Sequence, residues 1–387
     1  MNTLQYLNAP TASERLRNLQ TLVDAETEKP RFSDVFVNNH IHTTYSFSPY
    51  SPTAAVYFAR AASLPAAGIV DHDSIAGARE FIRAGEIAGV ATTVGVECRV
   101  HMTGTPLEDR FINNTDQPGI AYMVLHGVPH GQIDRVQAFF APLREKRNAR
   151  NREMVCNINA LLSDAGIVLD FDRDVLPLSQ YANGGSVTER HLIFALCRAI
   201  TALCGREKTA RFVENVLSVP LSEKQRAYLT DADNPYFDYD LLGVLKSAFV
   251  SRIYVPAAAE CPHATELAAL AAETGALLCY AYLGDVTVSA TGDKRSGKFE
   301  DDYLDELFEV LRRFNVDAVT YMPSRNTLAQ LRRVQQMCAD GGFLQISGED
   351  VNSPRQKFVC AQLEMPEFRH LTDATWALIE RERALSE

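Results

Sequence analysis

Five short apolar runs in this chain each stop at residues able to hold a metal ion, and that recurrence constrains the fold more than any other feature. The residues are His40 and His42 in NNHIHT, His72 in VDHDS, Glu97 in VGVECRV, His126 in VLHG and Asp350 in ISGEDVN. Short apolar runs bounded by polar residues read as buried strands. Ligand-type residues emerging repeatedly from strand ends read as a site on the mouth of a barrel. His40 and His42 are two positions apart, so on an extended strand both imidazoles project to one face and can grip one ion.

The rest of the chain fits such a barrel. Strands are expected at 35–41, 67–71, 92–97, 121–126, 276–282, 316–321 and 343–348, with helical periodicity between most of them at 53–63, 74–88, 264–274, 300–314 and 325–340. Seven strands with helical crossovers imply an α/β chain built as a parallel barrel. One interval breaks the rhythm. About 150 residues separate His126 from Tyr282, far more than a crossover helix needs. A mostly helical insertion is therefore expected at 136–255, dividing a barrel made of 35–135 and 256–387.

Within the insertion, Thr188 in TERHLIFALCRAI suits an N-cap, with Glu189 and Arg190 opening the helix. The acidic, aromatic stretch 228–240 reads as a surface loop. Residues 1–34 form an N-terminal helical segment: Leu16, Leu19, Leu22 and Val23 have helical spacing, Lys29 suits a last turn and Pro30 stops it.

Charge narrows the function. Lys and Arg total 38 against 49 Asp and Glu, a net −11, which disfavours a protein whose task is gripping a polynucleotide backbone. A small anionic substrate fits, because a metal centre and a few placed cations outweigh the distant field. The eight cysteines form no CxxC pair, which points to buried free thiols in a reducing cytoplasm. No run of 18 apolar residues suggests a membrane span.

Each motif has an ordinary alternative. Two histidines on a strand can merely hydrogen-bond there. Asp73 can serve the helix start with Ser74 as its N-cap, while His72 has no such explanation, and Asp71 can orient an imidazole. Glu97 could pair with Arg99; the sharper reading is a carboxylate bridging metals, since an unpaired carboxylate in a barrel core costs several kcal/mol. His126 precedes Gly127, which allows close backbone approach, whereas His130 reads as loop. Asp350 could belong to a solvated turn. Taken together, the residues form a mixed nitrogen and oxygen set suited to zinc, manganese or iron.

The order HIHT, VDHDS, GVE, LHG and terminal GED resembles the PHP superfamily, the polymerase and histidinol phosphatase domains. The resemblance covers roughly 35–130 and 275–360. It implies a distorted seven-stranded TIM-like (β/α) barrel, a centre of one to three divalent ions (zinc, manganese or iron, with magnesium also compatible) and phosphoesterase chemistry. His40, His42, Glu97 and Asp350 would hold one ion, and Glu97 would bridge to another held by His126. His72 serves a third site in many relatives. The insertion resembles that of relatives acting on small phosphates, where Arg190 would fork onto phosphate oxygens and His191 would touch substrate or metal. The chain departs from the pattern at Ala281 and Tyr282, at Asn352, and at Tyr45 to Ser48, where relatives often carry further ligands.

The loop 284–301 brings Lys294, Arg295 and Lys298 toward the same mouth as a candidate phosphate-neutralising flap. The expected function is a cytoplasmic hydrolase in which water activated by divalent metal cleaves a small-molecule phosphate ester. Arg190, Lys294 and Arg295 would bind phosphate, with His72 or His191 as proton donor. Two alternatives stand beside it: an amidohydrolase-like C–N hydrolase, and a catalytically decayed metal-binding module. No nucleic acid or membrane partner is expected, and the oligomeric state is not legible.

Overall fold

The computed structural model describes residues 2–28, 30–285 and 299–387. Seven strands make one sheet in chain order: β1 (Asn38–Ile41), β2 (Ala66–His72), β3 (Ala91–His101), β4 (Ile120–His126), β5 (Leu277–Ala281), β6 (Ala318–Tyr321) and β7 (Leu344–Ser347). The ends of the sheet meet just past β7. There Val351 bridges Ile41 in parallel fashion, its carbonyl accepting from His42 N–H and its N–H donating to His40. This seam closes a distorted, TIM-like barrel, as expected. Gly348 is required at the seam, because a Cβ there would lie 2.5 Å from the His40 backbone nitrogen.

The barrel is not all parallel, which corrects one expectation. β4 runs antiparallel to both β3 and β5, whereas the other neighbouring pairs are parallel. No helix links β3 to β4; residues 102–119 make the connection with turns, and a helical crossover is what a parallel partner would need. Inside the barrel, Val70, Val124, Cys279, Ala318 and Ile346, one from each of five strands, form a small apolar cluster that Leu378 of the helix His370–Ala384 joins. The larger core lies between strands and surrounding helices and includes Phe81, Phe140, Phe308 and Leu311. Six of the eight free cysteines are buried.

The long interval is helical. The helix Ile133–Leu161 starts on the barrel core with Val136 and Phe140 and ends in a second core with Met154, Val155 and Ile158. The expected boundary at 136 therefore falls inside one continuous helix. Glu189–Cys204 and Phe237–Ile253 complete that second core through Leu192, Leu196, Leu241 and Leu245, with Phe47 reaching it from the barrel. Of the stretch expected as a loop at 228–240, residues 231–236 are a loop, whereas 228–230 end the helix Glu223–Thr230 and 237–240 open the helix Phe237–Ile253, because Phe237 buries and Asp238 and Asp240 suit a helix N-terminus.

At the start of the chain there are two helices, Thr3–Leu7 and Ala12–Asp24. The second carries a full Thr11–Glu14 capping box and stops earlier than expected. Lys29 and the flap residues Lys294, Arg295 and Lys298 lie outside the described residues. Among the described residues no helix is long and apolar enough to cross a membrane.

Candidate metal centre

His40 Nε2 lies 3.7 Å from Glu97 Oε1, His42 Nε2 lies 3.8 Å from Glu97 Oε2, and His42 Nε2 lies 3.4 Å from Asp350 Oδ1. These separations are too long for hydrogen bonds. Two donors about 2.1 Å from one tetrahedral ion stand roughly 3.4 Å apart, so the spacing is that of groups arranged to share a cation. Among the described residues, His40, His42 and Glu97 offer donor atoms that all lie within 4.8 Å of one another.

Local sequence explains the convergence. β1 places His40 and His42 two apart, β2 ends at His72, and β3 pairs in register with β2 so that His72 faces Glu97 across the ladder. His72 Nδ1 is 3.1 Å from Glu97 Oε2, and its ring stacks on that of His42 at 4.5 Å. Arg99 does not neutralise Glu97. It pairs with Glu260, and with Glu189 at 3.3 Å, so the simple salt bridge conceivable from sequence is not formed.

The protonation states suit a cation. Burial pushes the His42 imidazole down to about 3, with nearby His72 adding to the effect, and burial with His40 beside it does the same to His126. Both rings are neutral and carry a free lone pair. For Glu97, burial favours the neutral acid, but His40 and His72 outweigh it and hold the carboxyl well below its usual range. Asp350 is lowered in the same way, burial being outweighed by His42, His40 and Arg190.

His126 is placed differently from expectation. Because β4 runs backward, its C-terminal end lies away from the mouth. His126 sits beyond the Val96–Leu125 pair, deeper than Glu97, and does not line the cavity. Its Nε2 is a buried nitrogen with no hydrogen-bond partner. A polar atom stranded this way costs about 1–3 kcal/mol unless something meets it, and His126 is not one of the residues whose donor atoms gather within 4.8 Å of one another.

Outer contacts fix the ligands. Asp71, at 1% exposure, accepts from Thr43 N–H at 2.6 Å, from the Thr43 hydroxyl and from the Ser46 hydroxyl at 2.6 Å. Ser46 Oγ in turn lies 3.5 Å from His42 Nδ1. Asp71 therefore fixes Thr43 and Ser46 beside the His42 ring and makes no direct hydrogen bond to an imidazole among those of the described residues. Asp73 does not open a helix. It takes a left-handed backbone (φ 51°) and pairs with Arg147, while the next helix begins at Ala78. Ser74 is not the N-cap of that helix: its hydroxyl accepts the Ala76 N–H at 3.2 Å, ahead of the helix start, and donates to the Gly184 carbonyl at 2.8 Å.

Above the cluster lies a cavity of about 640 Å³, lined among others by His40, His72, Glu97, Arg190, Asp350 and Asn352. Arg190 Nη1 donates to Asn352 Oδ1 at 2.5 Å, and Asn352 Nδ2 donates to Asp350 Oδ1 at 2.6 Å. A guanidinium from the insertion is thus tied to a carboxylate of the barrel. His191 is not among the lining residues. It is 2% exposed, its Nδ1 accepts the Thr188 N–H at 3.0 Å to cap the helix, and burial beside Arg147 pushes it down to about 3. Tyr282 gives its hydroxyl to Asp301 at 2.5 Å. Residues missed from sequence include Asn352 as a link and Glu189 and Glu260 as partners of Arg99, Arg147 and Arg150. Only the T-x-x-H spacing of Thr188 and His191, a variant of the capping box, offered a local signal.

The PHP domain family model matches residues 38–314, well over half the chain. No curated protein matches it. Among solved structures, a candidate metal-dependent phosphoesterase from Bifidobacterium adolescentis superposes with a TM-score of 0.56 at 18% identity, covering 89% of this chain and 96% of that one. An amidohydrolase from Chromobacterium violaceum, solved with sulfate bound and no metal, gives 0.53 at 17% identity over 87% and 96%. At such identities the likeness is one of fold.

Proposed function

The chain belongs to the PHP domain family, and from that premise we propose that it is a metal-dependent phosphoesterase acting on a small phosphate ester. The observation that carries this is the buried set of His40, His42 and Glu97, with Asp350 at 3.4 Å from His42 and Arg190 linked to Asp350 through Asn352 at the cavity wall. His40, His42, Glu97 and Asp350 would hold one divalent ion, with His126 approaching from the inner side. Zinc, manganese and iron suit this donor set, and magnesium is compatible. A divalent ion there supplies Lewis-acid charge and acidifies water.

The chain's own groups account for the remaining steps. Arg190 binds the phosphoryl oxygens and, being tied to Asp350, fixes the phosphate relative to the ligand cluster. Water attacks phosphorus, the bond to the leaving oxygen breaks with its electron pair, and that oxygen takes a proton. Of the two histidines considered from sequence, His72 lines the cavity and is held at Nδ1 by Glu97, so it is assigned the proton transfer. His191 caps its helix instead. Lys294 and Arg295 remain part of the proposal as phosphate-binding cations on the 284–301 loop.

The competing reading is a decayed module that binds metal without turnover. Tyr282 and Asn352, at positions where relatives often carry ligands, favour it because their polar atoms are committed to Asp301, Asp350 and Arg190. Purified protein reconstituted with manganese or zinc should release inorganic phosphate from small esters such as an aryl phosphate, and a chelator should stop it. Bound metal without hydrolysis of any phosphate in a broad panel would favour the decayed module. Cleavage of amides instead would favour C–N hydrolysis.

A further inference from the structure

The reversal of β4 puts a different residue at the mouth from the one the sequence suggests. Tyr122 pairs with Arg99, two residues toward the mouth from Glu97, and its side chain lines the cavity with His72, Glu97, Arg190 and Asp350. Its ring centroid lies 5.9 Å from that of His72. Its backbone is clamped on both sides by one carboxamide: Tyr122 N–H donates to Asn113 Oδ1 at 2.7 Å, and Asn113 Nδ2 donates to the Tyr122 carbonyl at 2.8 Å. Asn113 also reaches the Ala281 carbonyl on β5, so this part of β4 is held from the neighbouring strand as well.

Among the described residues no hydrogen bond reaches the Tyr122 hydroxyl. Nor is that oxygen one of the sealed polar atoms left without a partner, so it opens onto the cavity. A rigidly placed hydroxyl that opens onto the same cavity as the ligand cluster and makes no hydrogen bond within the described residues is a donor for something the cavity receives.

Resting on the phosphoesterase reading, we infer that Tyr122 is a catalytic residue whose hydroxyl donates to a non-bridging phosphoryl oxygen of the substrate. Burial raises the phenol, against the pull of Arg99. It therefore keeps its proton at all working pH values, which makes it a fixed donor and a poor acid. That separates it from His72, which handles the leaving oxygen.

Tyr122→Phe removes one oxygen and preserves the ring. The expected result is a roughly 10²-fold fall in kcat for aryl phosphates and weaker binding of inorganic phosphate by calorimetry. Manganese affinity and melting temperature should be unchanged. The loss should be equal for good and poor leaving groups, since the contact is to a non-bridging oxygen. A loss that grows with leaving-group pKa, an unchanged kcat and phosphate affinity, or a fall in melting temperature or metal affinity would each overturn the assignment. If the wild-type protein binds neither phosphate nor phosphate esters, the phosphoesterase reading falls and this inference with it. If the wild type turns over and Y122F matches it, this inference alone falls.

Discussion

The carboxylate of Glu97 sits 3.1 Å from Nδ1 of His72 on the adjoining strand, while Arg99, two residues further along β3, turns to Glu260 and Glu189. A buried carboxylate whose partners are imidazoles rather than a permanent cation is a carboxylate kept for an ion. Glu97→Gln preserves size and removes the charge. Metal titration by calorimetry should show affinity for manganese or zinc reduced by at least about 10²-fold, with melting of the metal-free protein little altered. Wild-type affinity in E97Q would remove Glu97 from the ligand set.

Asn352 gives its amide hydrogen to Asp350 and takes one from Arg190. Replacement by Asp places a carboxylate 2.6 Å from where Asp350 now accepts, and like charges at that distance repel strongly. The pair relieves that repulsion by holding a proton, which an incoming ion must displace, so the manganese affinity of N352D measured by calorimetry should fall more steeply than that of the wild type as the pH is lowered from 7 to 5. Alanine at the same position should uncouple the two neighbours, so that adding Arg190→Ala costs metal affinity nothing further. Additive losses in the double variant would mean that Arg190 acts on Asp350 without the carboxamide.

Much of this was legible in the sequence because it depends on local periodicity. Seven strands lie within a few residues of their expected places, and Thr188 caps the helix it was expected to cap. What escaped depends on direction or on distance along the chain. Alternation along 121–126 marks a strand but does not say which way it runs. His126 was therefore expected at the mouth, and Tyr122 was not singled out. Arg99 meets Glu260 from 161 residues away, and Asn39 meets Thr375 from 336, separations no window of sequence relates. Asn352 was read as a lost ligand because its type is uninformative until Arg190 is seen beside it.

Glu260 joins Arg99 and Arg150 in a buried network with Arg147, Glu189 and Asp73 that ties the insertion to the barrel. Its side chain is 4% exposed, as is that of Arg99. Neutralising Glu260 leaves Arg99 and Arg150 to share Glu189 and the network with an uncompensated buried positive charge, which typically costs about 3–5 kcal/mol. Urea denaturation of Glu260→Gln should show a loss of that order. A loss below about 1 kcal/mol would mean that the network contributes no more than exposed pairs do.

His191 turns its capping role into a pH dependence. Its ordinary value of 6.5 falls to about 3 in the folded chain, through burial first and then Arg147. Between those values the unfolded chain binds a proton there that the folded chain does not. Stability at this position therefore rises with pH across the window and is lost as pH falls toward 3, by up to roughly 1.4 kcal/mol per unit. The physical reason is that Nδ1 accepts the Thr188 N–H, so a protonated ring would present a donor to a donor. His191→Gln keeps an acceptor at the third helical position, where glutamine completes a capping box without titrating. Melting curves of metal-free protein from pH 7 down to pH 4 should fall more steeply for the wild type than for H191Q, the two converging near neutrality if the cap is otherwise equivalent. Parallel curves would place the proton uptake elsewhere and return His191 to candidacy as a group that works in the cavity.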